Sequence, residues 1–202
     1  MKTPTLILLA LSLAPGAISA TADTGRPLWA DPSRQSEGLE PAFATMTVFP
    51  DAASAKKLRR ADSPFYRALN GDWKFHWVPR PGERPLDFWK PGFDDGAWKT
   101  IPVPACVELE GHGIPTYTNT TYPWRKVTPP DIAGDYNPVS SYRRAFTVPA
   151  EWRKGGRETF LTFDGVSSLF TVWLNGEKLG FNKDSRTPST FRLTPHLRDG
   201  EN

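Results

Sequence analysis

Cysteine is almost absent from this sequence of 202 residues, in which Cys106 is the only one. A single cysteine cannot form an internal disulfide, so burial of apolar side chains must stabilise the fold. A cysteine nucleophile would need a histidine partner, and the nearest candidate, His112, lies in a loop between two glycines. We therefore expect Cys106 to be a small buried residue without a catalytic role.

Strong net charge and long apolar runs are also lacking beyond the N-terminus. The chain has 25 Lys and Arg against 22 Asp and Glu, a formal net charge of +3, and its densest basic cluster spans only residues 56–60. No nucleic-acid partner is expected from that balance. The apolar run within residues 1–22 follows a basic start and precedes small residues, as in a secretory signal peptide. We predict an exported protein, periplasmic or extracellular, with no membrane contact after cleavage.

Helical periodicity nearly disappears after residue 65, where alternating apolar and polar residues take its place. In "GDWKFHWVP", Trp73, Phe75 and Trp77 alternate with polar residues, and "SYRRAFTVP", "ETFLTFDGV" and "STFRLTPHL" are typical of further strands. The pair Asn175-Gly176 predicts a two-residue hairpin turn, since both positions need a positive φ. These patterns predict an all-β sandwich over residues 65–202, preceded by an irregular N-terminal arm, residues 23–64.

Residues 101–138 form a long segment without periodicity, and "TYTNTTYPWR" lies in its middle. A loop of this length in a compact domain is usually functional. Asn119 begins the glycosylation pattern N-T-T, so three roles stay open for it: it carries a sugar, it binds a sugar, or it makes a turn. The final residues, "LRDGEN", predict a turn that leads into another strand, so we expect an N-terminal fragment, truncated before the last strand or strands of the sandwich.

Several segments follow one another in an order that resembles the N-terminal sugar-binding domain of the family 2 β-galactosidases. They are "LNGDWKFHW", "FDDGAWKTIPVP", "IPTYTNTTYPW", "NPVSSYRRAFTVP", "FDGVSSLFTVWLNGEKLGFNKDSRTPSTFRLTPHL" and "GEN". The resemblance implies a galactose-binding-domain-like jelly roll in a retaining glycosidase that releases terminal β-D-galactose. It places the catalytic glutamates on a downstream barrel, so we expect no catalytic residue here and no activity from this piece alone. The close pair Glu108 and Glu110 lies in a Gly/Pro-rich loop, which argues against a rigid catalytic pair.

For the Y-T-N element, the resemblance implies that Asn119 hydrogen-bonds the galactosyl hydroxyls. An amide suits this role because it both donates and accepts without a charge to desolvate. Tyr117, Tyr122 and Trp124 would support the loop by packing. Magnesium and sodium ions are implied for the complete enzyme, but no metal ligand or other cofactor for this chain. The expected partners are a β-galactoside, the barrel domain of the same chain and, in the complete protein, further copies in a homo-oligomer.

Two details and two alternatives accompany this resemblance. Many relatives have P-S-N-W where this sequence has "PACV" at residues 104–107, a difference that bears on the shape of the loop base. Asp184 and Arg186 are expected to form a structural ion pair. The eight tryptophans also suit a free-standing, non-catalytic carbohydrate-binding module, and a different family 2 glycosidase is the other alternative.

Overall fold

The computed structural model describes residues 24–57, 59–117, 128–132 and 134–202. In these ranges the regular structure is mainly strand. The strands are β1 (Ser36–Glu37), β2 (Gly71–Val78), β3 (Lys99–Val103), β4 (Val139–Arg143), β5 (Phe160–Phe163), β6 (Phe170–Leu174), β7 (Glu177–Asn182) and β8 (Ser189–Arg192). The α-helix α1 spans Ala52–Ala55, and 3₁₀ turns span Leu28–Ala30, Arg60–Asp62, Pro81–Glu83, Ala150–Arg153 and Thr194–His196. Among the described residues, no helix is long and apolar enough to cross a membrane.

Every strand pairing in the described structure is antiparallel. Strands β3, β2 and β4 form one sheet with β2 in the centre, and β1, β7 and β6 form a second with β7 in the centre. Strands β5 and β8 pair with each other. The prediction of an all-β fold is therefore confirmed.

Strand β2 supplies the aromatic face that the sequence predicted. Phe75 is only 2% exposed, and its ring centroid lies 4.9 Å from that of Tyr142, its cross-strand partner on β4. On the opposite face His76 is half-buried and stacks on Trp98, with 5.4 Å between the ring centroids. Segments outside the strands therefore pack on both faces of β2, with His112 on Phe75 and Trp98 on His76.

The hairpin at residues 175–176 is confirmed. Asn175 has φ 54° and Gly176 has φ 92°, the positive values that this turn requires. The Asn175 amide also donates to the carbonyl of His196 at 2.8 Å and to Oδ1 of Asn202 at 2.9 Å. The turn between β6 and β7 is thus joined to the last described residue of the chain.

The predicted strand "SYRRAFTVP" is shorter than expected, since the ladder of β4 ends at Arg143. Beyond it, Phe146 exchanges backbone hydrogen bonds with Asn202, at 3.0 and 2.8 Å, and Thr147 bridges to Glu201. The alternating pattern continues past Arg143 because these residues pair with a different segment.

Two groups of apolar side chains form the core of the second sheet and the β5–β8 pair. Phe181 and Phe191 are fully buried, and Phe191 meets Phe163 and Phe170 edge to face. A second cluster brings β6 together with the residues that follow β8. It contains Leu174, Leu193 and Leu197, against which Phe146, Val148, Leu161 and Leu179 pack. No disulfide contributes, as expected from the single cysteine.

The N-terminal arm joins the second sheet through β1, which pairs with β7. Two glycines permit this approach. A Cβ on Gly38 would lie 2.0 Å from the carbonyl oxygen of Leu179, and a Cβ on Gly180 would lie 1.9 Å from that of Glu37. The sequence did not predict this strand, because a two-residue strand carries no periodicity.

Asp31 organises the arm just before β1. Its carboxylate is buried and accepts hydrogen bonds from the Ser33 hydroxyl at 2.6 Å, from the Ser33 N–H at 3.0 Å and from the Thr24 hydroxyl at 2.9 Å. Lys183, next to the end of β7, donates from Nζ to the Asp31 carbonyl at 2.5 Å. The hydrogen bond from the Ser33 side chain is the main reason that the pKa of Asp31 lies below its usual value.

Acidification is expected to loosen the arm through Asp31. Because the pKa of Asp31 is lower in the folded state, its ionised form stabilises the arm above the unfolded pKa of about 4, and this contribution is lost as the pH falls through the lower folded value. We expect hydrogen-exchange protection of residues 36–40, corrected for intrinsic rates, to fall from pH 5 to pH 3 more steeply in the wild type than in Asp31→Asn. The control is Asp164→Asn, at an exposed turn. Equal slopes for wild type and Asp31→Asn would refute this role.

Candidate functional site

The long segment between β3 and β4 is attached at both ends to the same sheet. It leaves β3 after Val103 and enters β4 at Val139, and these two strands flank β2 on its two edges. The ends of the segment therefore reach the central strand β2 from opposite sides.

The segment begins with a tight turn at residues 106–111. The N–H groups of Leu109 and Glu110 donate to the Cys106 carbonyl at 3.0 and 3.3 Å, and the His112 N–H donates to the Val107 carbonyl at 3.0 Å. Cys106 is exposed, so the prediction of a buried cysteine is wrong. The turn lies at the surface, where the thiol sulfur approaches a Glu108 carboxylate oxygen at 3.0 Å.

His112 ends this turn and packs on the aromatic face of β2. Its ring lies edge to face on Phe75, with 4.7 Å between the ring centroids. The Tyr142 ring also contacts Phe75, and burial raises the pKa of the Tyr142 phenol, with a smaller rise from the charge of Glu108. The base of the segment is thus apolar and aromatic, which favours a fixed geometry.

Gly113 brings the two ends of the segment together. The position that a Cβ would take on Gly113 lies 3.5 Å from Cζ2 of Trp77 and 3.5 Å from Oη of Tyr136. Beyond Tyr136, the N–H of Asn137 donates to the carbonyl of Pro79 at 3.0 Å, just after the end of β2. We call His112, Gly113, Tyr136 and Asn137 the neck of the segment. The sequence did not single out this group, since a glycine with φ 81° and a distant tyrosine leave no shared pattern.

Apolar side chains are exposed on the N-terminal side of the predicted sugar-binding element. Leu109 is 80% exposed, Ile114 is 65% exposed and Tyr117 is 95% exposed. Asn119, Tyr122 and Trp124 lie outside the described residues. A sugar-binding role for Asn119 and a supporting role for Tyr117, Tyr122 and Trp124 stay predictions.

The arm reaches the C-terminal side of the same segment. Nη1 of Arg26 lies 2.6 Å from Oδ1 of Asp131, and Asp131 bridges back to Thr128. Both side chains are substantially exposed, so we expect this ion pair to contribute under about 1 kcal/mol. It links residues 105 positions apart, and the sequence gave no indication of it.

Other predicted polar residues have structural roles. The Asp184 carboxylate accepts from the N–H of Arg186 at 2.9 Å and from the Thr187 hydroxyl at 2.6 Å. The expected ion pair with the Arg186 guanidinium is not among the salt bridges of the described residues, because the carboxylate turns back to close its own loop. Over residues 24–57, 59–117, 128–132 and 134–202, no three His, Cys, Asp or Glu side chains are grouped so that they could hold a metal ion.

Comparison with known proteins gives matches at the level of sequence and of fold. Residues 66–202 match the family described as glycosyl hydrolases family 2, sugar binding domain. A β-galactosidase of Halalkalibacterium halodurans is 41% identical over 165 residues, which cover 80% of this chain. A β-galactosidase of Priestia megaterium is 39% identical over 164 residues, again 80% of the chain. A solved structure of Bifidobacterium dentium β-glucuronidase in complex with coumarin-3-O-glucuronide superposes with a TM-score of 0.46 and 23% identity, over 66% of this chain and 18% of that one.

The matched region is a small part of these relatives. It covers 16% of the Halalkalibacterium halodurans protein and 16% of the Priestia megaterium protein. The matched domain and the antiparallel strands agree with the jelly-roll sandwich that the resemblance implied.

Proposed function

The chain belongs to the sugar-binding domain of glycosyl hydrolases family 2, and from this membership we propose that it is the N-terminal part of an exported β-galactosidase. The complete protein would hydrolyse terminal β-D-galactose residues with retention of configuration. Its catalytic acid/base and nucleophile would be carboxylates of a downstream barrel domain. The observation that carries the proposal is the 41% identity over 165 residues to a protein named as a β-galactosidase.

Within that enzyme, this domain would contribute an amide to substrate binding. Asn119 offers both a donor and an acceptor to sugar hydroxyls, and it adds no charge that binding would have to desolvate. The neck supports this assignment, because it fixes one end of the segment that carries Asn119 on Phe75 of β2 and the other end at Pro79, directly after β2. A residue that binds a substrate held by another domain needs such a fixed base.

Catalytic carboxylates and metal ions are assigned to the downstream part of the protein. Glu108 and Glu110 both lie in the surface turn at residues 106–111, so neither is held on a strand or helix as a retaining pair requires. The described residues offer no group of ligands that fits the magnesium and sodium ions implied for the complete enzyme. The residues of this chain would therefore bind substrate and take no part in the chemical steps.

Hydrolysis by the complete protein tests the proposal. We expect kcat/KM for 4-nitrophenyl β-D-galactoside to be at least about 100-fold higher than for 4-nitrophenyl β-D-glucuronide. A site that accommodates the hydroxymethyl group of galactose has no partner for the carboxylate that glucuronide carries at the same position. Faster hydrolysis of the glucuronide would favour another family 2 activity. Binding of galactose with no hydrolysis of either substrate would favour the free-standing binding module.

A further inference from the structure

We infer that Gly113, His112 and Tyr136 are positioning residues, which close the neck and so hold together the two ends of the segment between β3 and β4. This inference rests on the proposed function, because the side chain to be presented is Asn119. The residues of the neck do not touch substrate in this account. They act through the segment that they hold.

Contacts at the two ends of the segment carry the inference. On the entry side, the ring of His112 lies 4.7 Å from that of Phe75, whose side chain is 2% exposed and cannot shift freely. On the exit side, the N–H of Asn137 is bonded to the carbonyl of Pro79. Each end is therefore fixed to strand β2 or to the residue directly after it.

The two ends also meet each other at Gly113. The space beside its Cα is bounded by the Trp77 indole and the Tyr136 hydroxyl, each 3.5 Å from the position of a Cβ. An alanine side chain would fill that space, and any longer side chain would displace Trp77 or Tyr136. A wider neck would let the ends of a long segment move apart, and small displacements of a binding group cost much of its effect.

A matched pair of glycines isolates this contact from backbone strain. Gly111 and Gly113 have nearly equal φ values, 85° and 81°, so a leucine is strained to a similar degree at either position. Nothing lies within 4 Å of a Cβ on Gly111, whereas Gly113 faces Trp77 and Tyr136. Any difference between the Gly113→Leu and Gly111→Leu variants therefore reflects the contacts of Gly113 in the neck and not backbone strain.

The first measurement is spectroscopic and needs no assumption about catalysis. The complete protein is labelled with 5-fluorotryptophan, and the resonance of Trp77 is assigned with Trp77→Phe. We expect this fluorine resonance to move beyond its line width in Gly113→Leu and to stay in place in Gly111→Leu. An unchanged Trp77 resonance in Gly113→Leu would contradict the close contact between Gly113 and Trp77 on which the inference depends.

The second measurement is kcat/KM for a β-galactoside. We expect about a 10- to 100-fold loss in Gly113→Leu and in Tyr136→Ala, and a clearly smaller loss in Tyr136→Phe, since phenylalanine removes the oxygen beside Gly113 but keeps the ring that carries it. If Gly113→Leu fails to fold, the Tyr136 pair gives the same test. A loss in Tyr136→Ala that Tyr136→Phe does not recover contradicts the inference.

Asn119→Ala separates failure of this inference from failure of the proposed function. Loss of activity in Asn119→Ala without loss in Gly113→Leu or Tyr136→Ala would refute the positioning role of the neck and leave the role of Asn119 intact. Unchanged activity in Asn119→Ala overturns the proposed role of Asn119, and the positioning role with it, even where the Trp77 resonance moves.

Discussion

Replacement of Asn119 by alanine in the complete protein is expected to lower kcat/KM for a β-galactoside by about 10- to 100-fold. The Asn119 amide would form one or two hydrogen bonds with sugar hydroxyls in a site closed to water. Alanine removes both the donor and the acceptor of the amide, so these hydroxyls would be left without a partner. The thermal midpoint of unfolding should stay within about 1 °C, since the proposed role of Asn119 is to bind the substrate and not to stabilise the fold. Initial-rate kinetics and a thermal scan on the same preparation measure both quantities.

Asn119→Asp and Asn119→Gln are the matched controls. The aspartate keeps the size of the side chain but removes the donor, and the glutamine keeps the amide but moves it by one methylene. We expect both to be less active than the wild type. Wild-type kinetics in Asn119→Ala would contradict a role in substrate binding and would leave the turn or the glycosylation site as the alternatives for this residue.

Gly180→Ala is expected to detach the N-terminal arm from β7. The added methyl group would lie 1.9 Å from the carbonyl oxygen of Glu37, a contact that neither backbone can relieve while β1 and β7 stay paired. We expect a destabilisation of about 2–3 kcal/mol at this pairing. Hydrogen exchange should report it, because the N–H of Lys183 bonds to Gln35 and the N–H of Glu40 bonds to Thr190 only while the arm is in place.

Gly38→Ala tests the same approach from the arm side, and Gly82→Ala is the control. Gly38 approaches Leu179 from the arm side at 2.0 Å, so alanine there should expose the same amides. Gly82 has no atom within 4 Å of its Cβ position, so alanine there should leave exchange at Lys183 and Glu40 unchanged. Full protection of these two amides in Gly180→Ala would mean that the arm is held by its other contacts, with Asp31 and Lys183 foremost.

Local patterns predicted the strands that carry a clear apolar–polar alternation or a hairpin turn. The β6–β7 hairpin follows from Asn175-Gly176, and β2 follows from the alternation of Trp73, Phe75 and Trp77. Strand β3 was not predicted, because Pro102 interrupts its pattern. Proline is tolerated there because β3 is an edge strand, where a missing N–H breaks no bond of the sheet.

Features that depend on distant pairs could not be predicted. Strand β1 exists only because two glycines, Gly38 and Gly180, let two backbones approach across more than a hundred residues. The neck likewise brings Gly113 next to Tyr136 and Trp77, and nothing in the local patterns around these residues connects the three. The candidate residue Asn119 came from a short motif in a family resemblance, which names a residue type but carries no geometry.

A cycle that pairs Asn119→Ala with deoxygenated substrates tests the sugar contact most directly. The values of kcat/KM for wild type and variant are measured with 4-nitrophenyl β-D-galactoside and with its monodeoxy analogues. We predict that removal of at least one hydroxyl costs the wild type about 10-fold or more and costs the variant almost nothing, a coupling of about 1–2 kcal/mol. Equal losses in wild type and variant at every hydroxyl would contradict the contact between Asn119 and the galactosyl ring.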